Sequence, residues 1–366
     1  MTAPSGRLTR TGRRAGTARQ RGASMVELMV ALVIGMIISM AAISGAQMFG
    51  TVGRSQGGQG SALGSAAAAI GAIKFDAQMA GLGFFSDATA LCPTINLAVN
   101  NAVVAQNRVF QAARIDLLAD GTDQIELIYG TSINSGMGAR TLSPMATPMG
   151  QVIVDTGAGL VANQAVLLSY PAMAQPCTVA TVSSAVAGVG GRTTVLFNTA
   201  ARFTPANWAT SLPSVPAYPD ASSVSSMGDL VWRRYFVRND SLIMLDVLTN
   251  TEVMIAEGVV RVRAQYGLAA DATSTTVTTW QDAVGNAPLS TVDQQRLRAI
   301  RLGVVSVNTQ RERPAAAGSC DTTLAAPVLW PGETVDLSAR TDWQCFRYRS
   351  YSTVVGLRNL QWGQAL

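Results

Sequence analysis

Histidine is absent from the 366 residues, and lysine occurs once, at Lys74. Without imidazole there is no Ser-His-Asp or Cys-His catalysis and no metal site of the kind that uses histidine. With Lys74 followed by Phe75, no GK[ST] phosphate loop exists. Charge is sparse, at 13% of residues against 48% apolar. The four cysteines, Cys92, Cys177, Cys320 and Cys345, form no CxxC pair, so no structural zinc site is expected. The pI near 9.3 invites a nucleic-acid reading that the distribution of charge undoes. Six arginines (Arg7, Arg10, Arg13, Arg14, Arg19, Arg21) lie in the first 22 residues, and without them 21 basic residues face 22 acidic ones. No nucleic-acid partner, cofactor or metal is therefore expected. A chain rich in Gly, Ala, Ser and Thr, with an even cysteine count, suits an exported β-rich domain holding two disulfides.

What the chain does have is one long apolar run. Between Arg21 and Arg54 the only charge is Glu27. Leu28 to Met48 as a helix would be roughly 32 Å long, enough to cross the hydrocarbon core of a bilayer. The arginine-rich flank keeps the N-terminus in the cytoplasm and sends the rest outward. A secretory signal peptide has a shorter apolar region and a better cleavage site than residues 42–46 offer. A plain anchor leaves Glu27 unexplained, because a carboxylate one turn into a membrane helix costs several kcal/mol on insertion scales.

Gly22, Ala23, Ser24, Met25, Val26 and Glu27, followed by the apolar run, resemble the class III signal of type IV pilins and pseudopilins. The resemblance implies cutting after Gly22 by a membrane prepilin peptidase. Ala23 becomes the first residue, where the family usually has phenylalanine, and Glu27 becomes the fifth. A new α-amino group inside an apolar bundle needs a counter-charge, which a neighbour's fifth-position glutamate supplies. The second half resembles the PilW family of minor pilins, through the hairpin at 230–248, GVVRVRAQYG at 258–267, RLRAIRLGVVSVNTQRER at 296–313 and YRSYSTVVGLRN at 348–359. Some relatives carry an Asp/Gly-rich stretch after the Tyr-Gly; residues 269–274 here lack it, so no calcium loop is expected.

The implied fold class is α+β: a long N-terminal helix packed on a mainly antiparallel β-sheet head, with a β-rich insertion. The implied layout is a leader at 1–22, a pilin helix at 23–90 (23–49 transmembrane) and a periplasmic head at 91–366. The head divides into a variable region, 91–228, and a PilW-like region, 229–366. The implied partners are the prepilin peptidase, other minor pilins and the major pilin, with residues 28–49 in the inner membrane. After assembly the protein would sit in the pilus. Its role would be that of a minor pilin priming assembly or standing at the tip, and not of an enzyme. A minor pseudopilin of type II secretion shares the same processing. A membrane-anchored periplasmic enzyme or sugar-binding module, with 90–225 as its active part, is the alternative from another class.

Along the chain, Gly50, Gly53, Gly57, Gly58 and Gly60 predict a weak or melted helical section, each costing about 1 kcal/mol against alanine. Leu63, Ala66, Ile70, Ile73, Ala77 and Ala80 then share a helical face, with Phe75, Met79 and Leu82 as a second stripe. Strands are predicted at Gln124–Tyr129, Val152–Asp155, Ala165–Tyr170, Thr193–Phe197, Leu230–Arg238, Leu242–Leu248, Glu257–Leu268, Ile300–Val307 and Phe346–Val355. Asn239-Asp240 reads as a hairpin turn, and Ser290–Leu297 as a short helix capped by Ser290 or Thr291. Pro205–Met227, rich in Pro, Ser and Ala, reads as a long surface loop. Cys320 and Cys345 are the natural disulfide pair, closing a 25-residue step with Pro327, Pro331 and Gly332; Cys92 with Cys177 follows by elimination, and other pairings stay open.

Three imitations of functional motifs remain. Val152 to Ala162 mimics a dinucleotide fingerprint without its helix or distal acid, so strand and turn is expected. Arg233, Arg234, Arg238, Arg261 and Arg263 alternate with apolar residues and read as a solvated sheet face, not a nucleic-acid strip. Asp116, Asp120, Asp123 and Glu126 read as surface-loop carboxylates.

Overall fold

The computed structural model describes residues 24–86, 90–132, 134, 138–145, 150–170, 176–197, 201–213, 215–312, 318 and 320–362. The chain divides into two units, up to Gln56 and from Gly57 onward, each described by itself. Helix α1, Met25–Met79, runs unbroken through the glycines at 50–60. The predicted weak section is thus helical. A few glycines cost about 1 kcal/mol each, whereas a break there would unpair the carbonyls and amides of a whole turn on each side.

Within the second unit, α1 turns Ala62, Ala66, Ala69, Ile70, Ile73, Ala77 and Ala80 inward. Leu63 and Phe75, assigned to apolar faces from spacing, are 53% and 62% exposed. Small side chains win the inward face because they bring the helix backbone close to the sheet, close enough for the Ser306 hydroxyl to donate to the Ala62 carbonyl at 2.8 Å.

The strands that follow are, in chain order, β1 (Phe85–Ser86), β2 (Ala90–Leu91), β3 (Thr94–Val99), β4 (Ala102–Val109), β5 (Ala113–Leu117), β6 (Asp123–Gly130), β7 (Gly138–Arg140), β8 (Gln151–Val154), β9 (Ala165–Ser169), β10 (Cys177–Thr181), β11 (Ser184–Ala187) and β12 (Thr193–Leu196). After the short α2 (Trp208–Ser211) come β13 (Ser223–Gly228), β14 (Leu230–Arg238), β15 (Ser241–Asp246), β16 (Thr251–Glu257), β17 (Val259–Ala269) and β18 (Val277–Asp282). Helix α3 (Thr291–Arg296), β19 (Leu297–Val307), β20 (Val328–Trp330), β21 (Glu333–Thr334), β22 (Tyr348–Gly356) and α4 (Arg358–Trp362) complete the chain.

Four larger sheets result, ordered β4-β3-β10-β9-β13-β7, β11-β12-β8, β16-β15-β14-β6-β5 and β18-β17-β19-β22. Among the described strands only β3 and β10 pair in parallel; the other pairings are antiparallel. The fold is therefore α+β, an N-terminal apolar helix followed by a β-rich domain. The main core gathers the inward face of α1 with Ile95, Leu127, Trp232, Tyr235, Val262 and Ile300. A second core lies between the six- and three-stranded sheets and is centred on Val152, Leu168, Val195, Trp208 and Tyr218.

That second core corrects the reading of Pro205–Met227 as a surface loop. Trp208, Leu212 and Tyr218 are buried there, and β13 is wholly buried between β9 and β7. Serine-rich β13 (SVSSMG) hides its apolar alternation, and the Tyr218 hydroxyl finds Thr178 Oγ1 at 2.8 Å, which lets a polar tip sit inside. Other turns match their chemistry. Asn239 and Asp240 take φ of 50° and 54°, the left-handed pair that joins β14 to β15 in a tight hairpin. Ser290 caps α3, its Oγ accepting from the Asp293 amide at 3.1 Å. The segment from Gln151 is a strand and turn, with Gly159 at φ +77°.

Cys92 is bonded to Cys177, and Cys320 to Cys345. The first bond ties the chain leaving α1 to β10, across 85 residues; the second spans 25. In the chain-entropy account such loops are worth about 4–5 and about 3–4 kcal/mol. Cys92→Ser should therefore lower the unfolding midpoint more than Cys320→Ser, by denaturant titration of the oxidised protein. Equal midpoints for the two variants would contradict this ordering.

Candidate functional site

Every residue from Ser24 to Ser44 is exposed, and Met25–Ser44 has a mean hydropathy of 2.5. Twenty helical residues span about 30 Å, the thickness of a bilayer's hydrocarbon core. A helix apolar and exposed on all sides is built for lipid or for other helices. The Ser24 carbonyl accepts the Leu28 amide at 3.1 Å and its Oγ accepts from Val26 at 3.4 Å, so Ser24 starts the helix. Glu27 sits in the first turn, where the helix N-terminus favours a negative charge. It is exposed and finds no partner among the described residues. Gly22 and Ala23 lie outside the described residues.

The other end of α1 is fixed by a carboxylate that sequence reasoning missed. Asp76 is fully buried on the inward face, between Ile73 and Ala77. Tyr129 Oη donates to its Oδ1 at 2.7 Å and Tyr235 Oη to its Oδ2 at 2.6 Å. Arg233 Nη1 reaches both oxygens, at 2.9 and 3.1 Å. Strand alternation explains the convergence: β6 and β14 set Tyr129 opposite Val231, and Arg233 and Tyr235 follow at two-residue steps on the same face. Burial, then the hydrogen bond and charge of Asp76, push the Tyr129 hydroxyl far above its ordinary range. Burial and the same charge do so for Tyr235, so both remain donors. Burial pulls Arg233 down, but the Asp76 carboxylate outweighs it and the net shift is upward. At the helix end Asn359 Nδ2 donates to the Gln78 and Met79 carbonyls at 3.2 and 3.0 Å. Gly81 follows at φ +83°, with Leu360 packed where a Cβ would stand.

The opposite face of the β6–β14 pair carries a second buried carboxylate, and here the reading of surface-loop acids is corrected for Asp116, Asp123 and Glu126, which are buried on strands, while Asp120 is exposed in a turn as expected. Glu126 accepts from Arg108 at 2.6 Å and from Arg234 at 2.8 Å, with Arg108 stacked over Trp232. Asp123 accepts from Arg263 at 2.9 Å and from the Ala264 amide at 2.6 Å. Burial pushes its carboxyl up against the pull of those two donors. Asp116 pairs with Arg114 at 2.8 Å. Of the five arginines read as a solvated face, only Arg238 is exposed. Arg233 and Arg234 hold Asp76 and Glu126, Arg238 holds Glu252, and Arg263 also reaches Glu333 at 2.7 Å. Arg261 donates to the Asp120 and Asp336 carbonyls. Alternation located these residues on strands but could not name partners in distant parts of the chain. Asp76 did leave a signal, one charge set in an apolar helical stripe.

Residues 17–43 match the prokaryotic N-terminal methylation motif, and residues 224–359 match the family described as type IV pilus-assembly protein W. No curated protein matches the chain. Among solved structures a type IV-like pilin from Thermus thermophilus is similar, at 17% identity over 55% of this chain and 87% of that one, with a TM-score of 0.23.

Removing one partner of a buried ion pair typically costs about 3–5 kcal/mol. Asp76→Ala should cost about 3 kcal/mol in urea unfolding, since Arg233 is partly exposed and can regain water. Asp76→Asn keeps the shape but loses the charge and should fall between. A loss below about 1 kcal/mol for Asp76→Ala would contradict the clamp.

Proposed function

We propose that this chain, which belongs to the PilW family of type IV pilus-assembly proteins, works as a minor pilin that joins other minor pilins to prime the filament or stand at its tip. The observation that carries the reading is the coincidence of a prepilin methylation motif with an apolar helix exposed on every side. In this reading residues 1–22 are a leader, 23–49 cross the inner membrane, and the β-rich region 91–366 stands in the periplasm. The role is structural, and the prepilin peptidase acts on the chain.

The chemistry of the first turn supports the assignment of parts. Cleavage after Gly22 would leave the Ala23 amine at the tip of an apolar helix, where an unpaired charge is costly. Glu27, one turn on and without a partner among the described residues, is free to meet the amine of a neighbouring subunit. Residues 28–49 then hold the precursor in the membrane until helices of other pilins replace lipid around it.

Two outcomes follow. N-terminal sequencing of membrane-extracted protein should read Ala23 first, carrying a methyl group; a start near Gln47, or an uncut leader in cells with active peptidase, would sink the cleavage site. Glu27→Ala should leave insertion and cutting intact while lowering surface pilus number at least about tenfold, because an uncompensated buried charge is worth more than one decade. Normal piliation with that substitution would remove Glu27 from assembly.

A further inference from the structure

Most sheet edges in this head are defended against pairing with another chain. Strand β16 carries a register shift against β15, β18 another against β17, and β4 two against β3. Strand β5 is capped from outside: the Tyr266 hydroxyl bonds the Ile115 amide and carbonyl, and Leu117 N–H donates to the Gly285 carbonyl. Strands β7, β8 and β11 have only 3, 4 and 4 residues. Such devices are how proteins keep edges from pairing.

Strand β22 has none of them. It pairs with β19 over nine residues without a shift. Asn308 N–H donates to the Arg347 carbonyl and Leu357 N–H to the Arg298 carbonyl, which fixes the phase of the ladder: odd-numbered residues bond β19. The amides and carbonyls of Ser350, Ser352, Val354 and Gly356 therefore point out of the sheet. Upstream, the outward carbonyl of Phe346 is already taken by the Thr323 hydroxyl. From Ser350 onward no partner stands at this edge among the described residues. Val354 is 52% and Tyr351 44% exposed, apolar surface on both faces of the open strand.

We propose that β22 is a strand-addition site, and that its occupant is an extended, acid-bearing strand from the head of another pilin in the same filament. The inference rests on the minor-pilin reading above. Two observations select the occupant. From Tyr348 on, the sequence carries Arg349 and Arg358 and no acid, so the edge favours a negative strand. The edge also runs along α1: Ser306, opposite Arg349, bonds the Ala62 carbonyl, and Asn359, just past β22, bonds the Met79 carbonyl. A subunit lying beside this stretch of α1 meets β22. Backbone pairing supplies the attraction, and alternate side chains against Val354 and Tyr351 set register.

Proline at an outward position tests this without breaking the native ladder, since Ser352 N–H does not bond β19. The full chain, carrying the photo-crosslinker benzoylphenylalanine at Ser350, is irradiated in membranes of piliated cells. Crosslinked peptides are then identified by mass spectrometry. The expected adduct maps to a strand of another pilin's head, and falls at least about tenfold with Ser352→Pro but not with Ser352→Ala. Val354→Lys, which sets a like charge on a basic edge, gives the same loss if the proline variant melts early. An adduct to β22 of a second copy, an adduct unchanged by Ser352→Pro and Val354→Lys, or none at all would overturn the proposal. Co-purification of other pilins with the Ser352→Pro chain keeps the two readings apart: if they still bind while no adduct forms, the edge proposal fails alone; if none binds even the unaltered chain, the minor-pilin reading fails.

Discussion

Asp76 is the constraint on which the second unit depends. A carboxylate taken from water costs several kcal/mol, and it is tolerated here because two tyrosine hydroxyls and one guanidinium meet both of its oxygens. Charge-assisted hydrogen bonds of this kind contribute about 1.5–3 kcal/mol each, so the cluster offsets its own burial with little net gain. Its effect is geometric. A rotation of the helix by one residue, about 100°, would carry the carboxylate away from Tyr129, Arg233 and Tyr235 and leave those buried donors unpaired, so a single side chain sets which face of α1 meets the sheet. The alanines around it let the backbone come close enough for the contact.

The two acids of α1 show opposite solutions to the same problem. Asp76 is buried and fully partnered within its own chain, whereas Glu27 lies in an exposed apolar helix with no partner among the described residues. In the assembly proposed above, the carboxylate of this apolar span would find its counter-charge only in a bundle, whereas Asp76 already has its partners within the chain.

Much of the fold was legible because it is local. Leu230–Arg238 and the Asn-Asp turn after it, the alternation of Val259–Ala269, and the Ser290 cap all carry their signals within about a dozen residues. What escaped was non-local. Asp76 finds Tyr129 at a separation of 53 residues, and Arg233 and Tyr235 at 157 and 159, so no window contains the cluster. The arginines looked solvated because their partners lie far along the chain: Asp76 on α1 for Arg233, Glu126 on β6 for Arg234, and the Asp120 and Asp336 carbonyls for Arg261. Pro205–Met227 looked like a loop because its burial rests on two aromatics and a serine strand sandwiched between neighbours. Gly22 and Glu27 were legible for a different reason: they belong to a contiguous motif that needs no folding to be seen.

The most direct measurement is the protein's presence in purified filaments. Pili sheared from the cell surface, washed and analysed by quantitative mass spectrometry, should contain this chain at low stoichiometry to the main subunit, beginning at Ala23. In cells without prepilin peptidase it should be absent from the sheared fraction and retained in membranes with its leader. Its exclusion from filaments of normal cells and from the complex that starts them, with the processed protein abundant in the membrane, would contradict its place as a pilin.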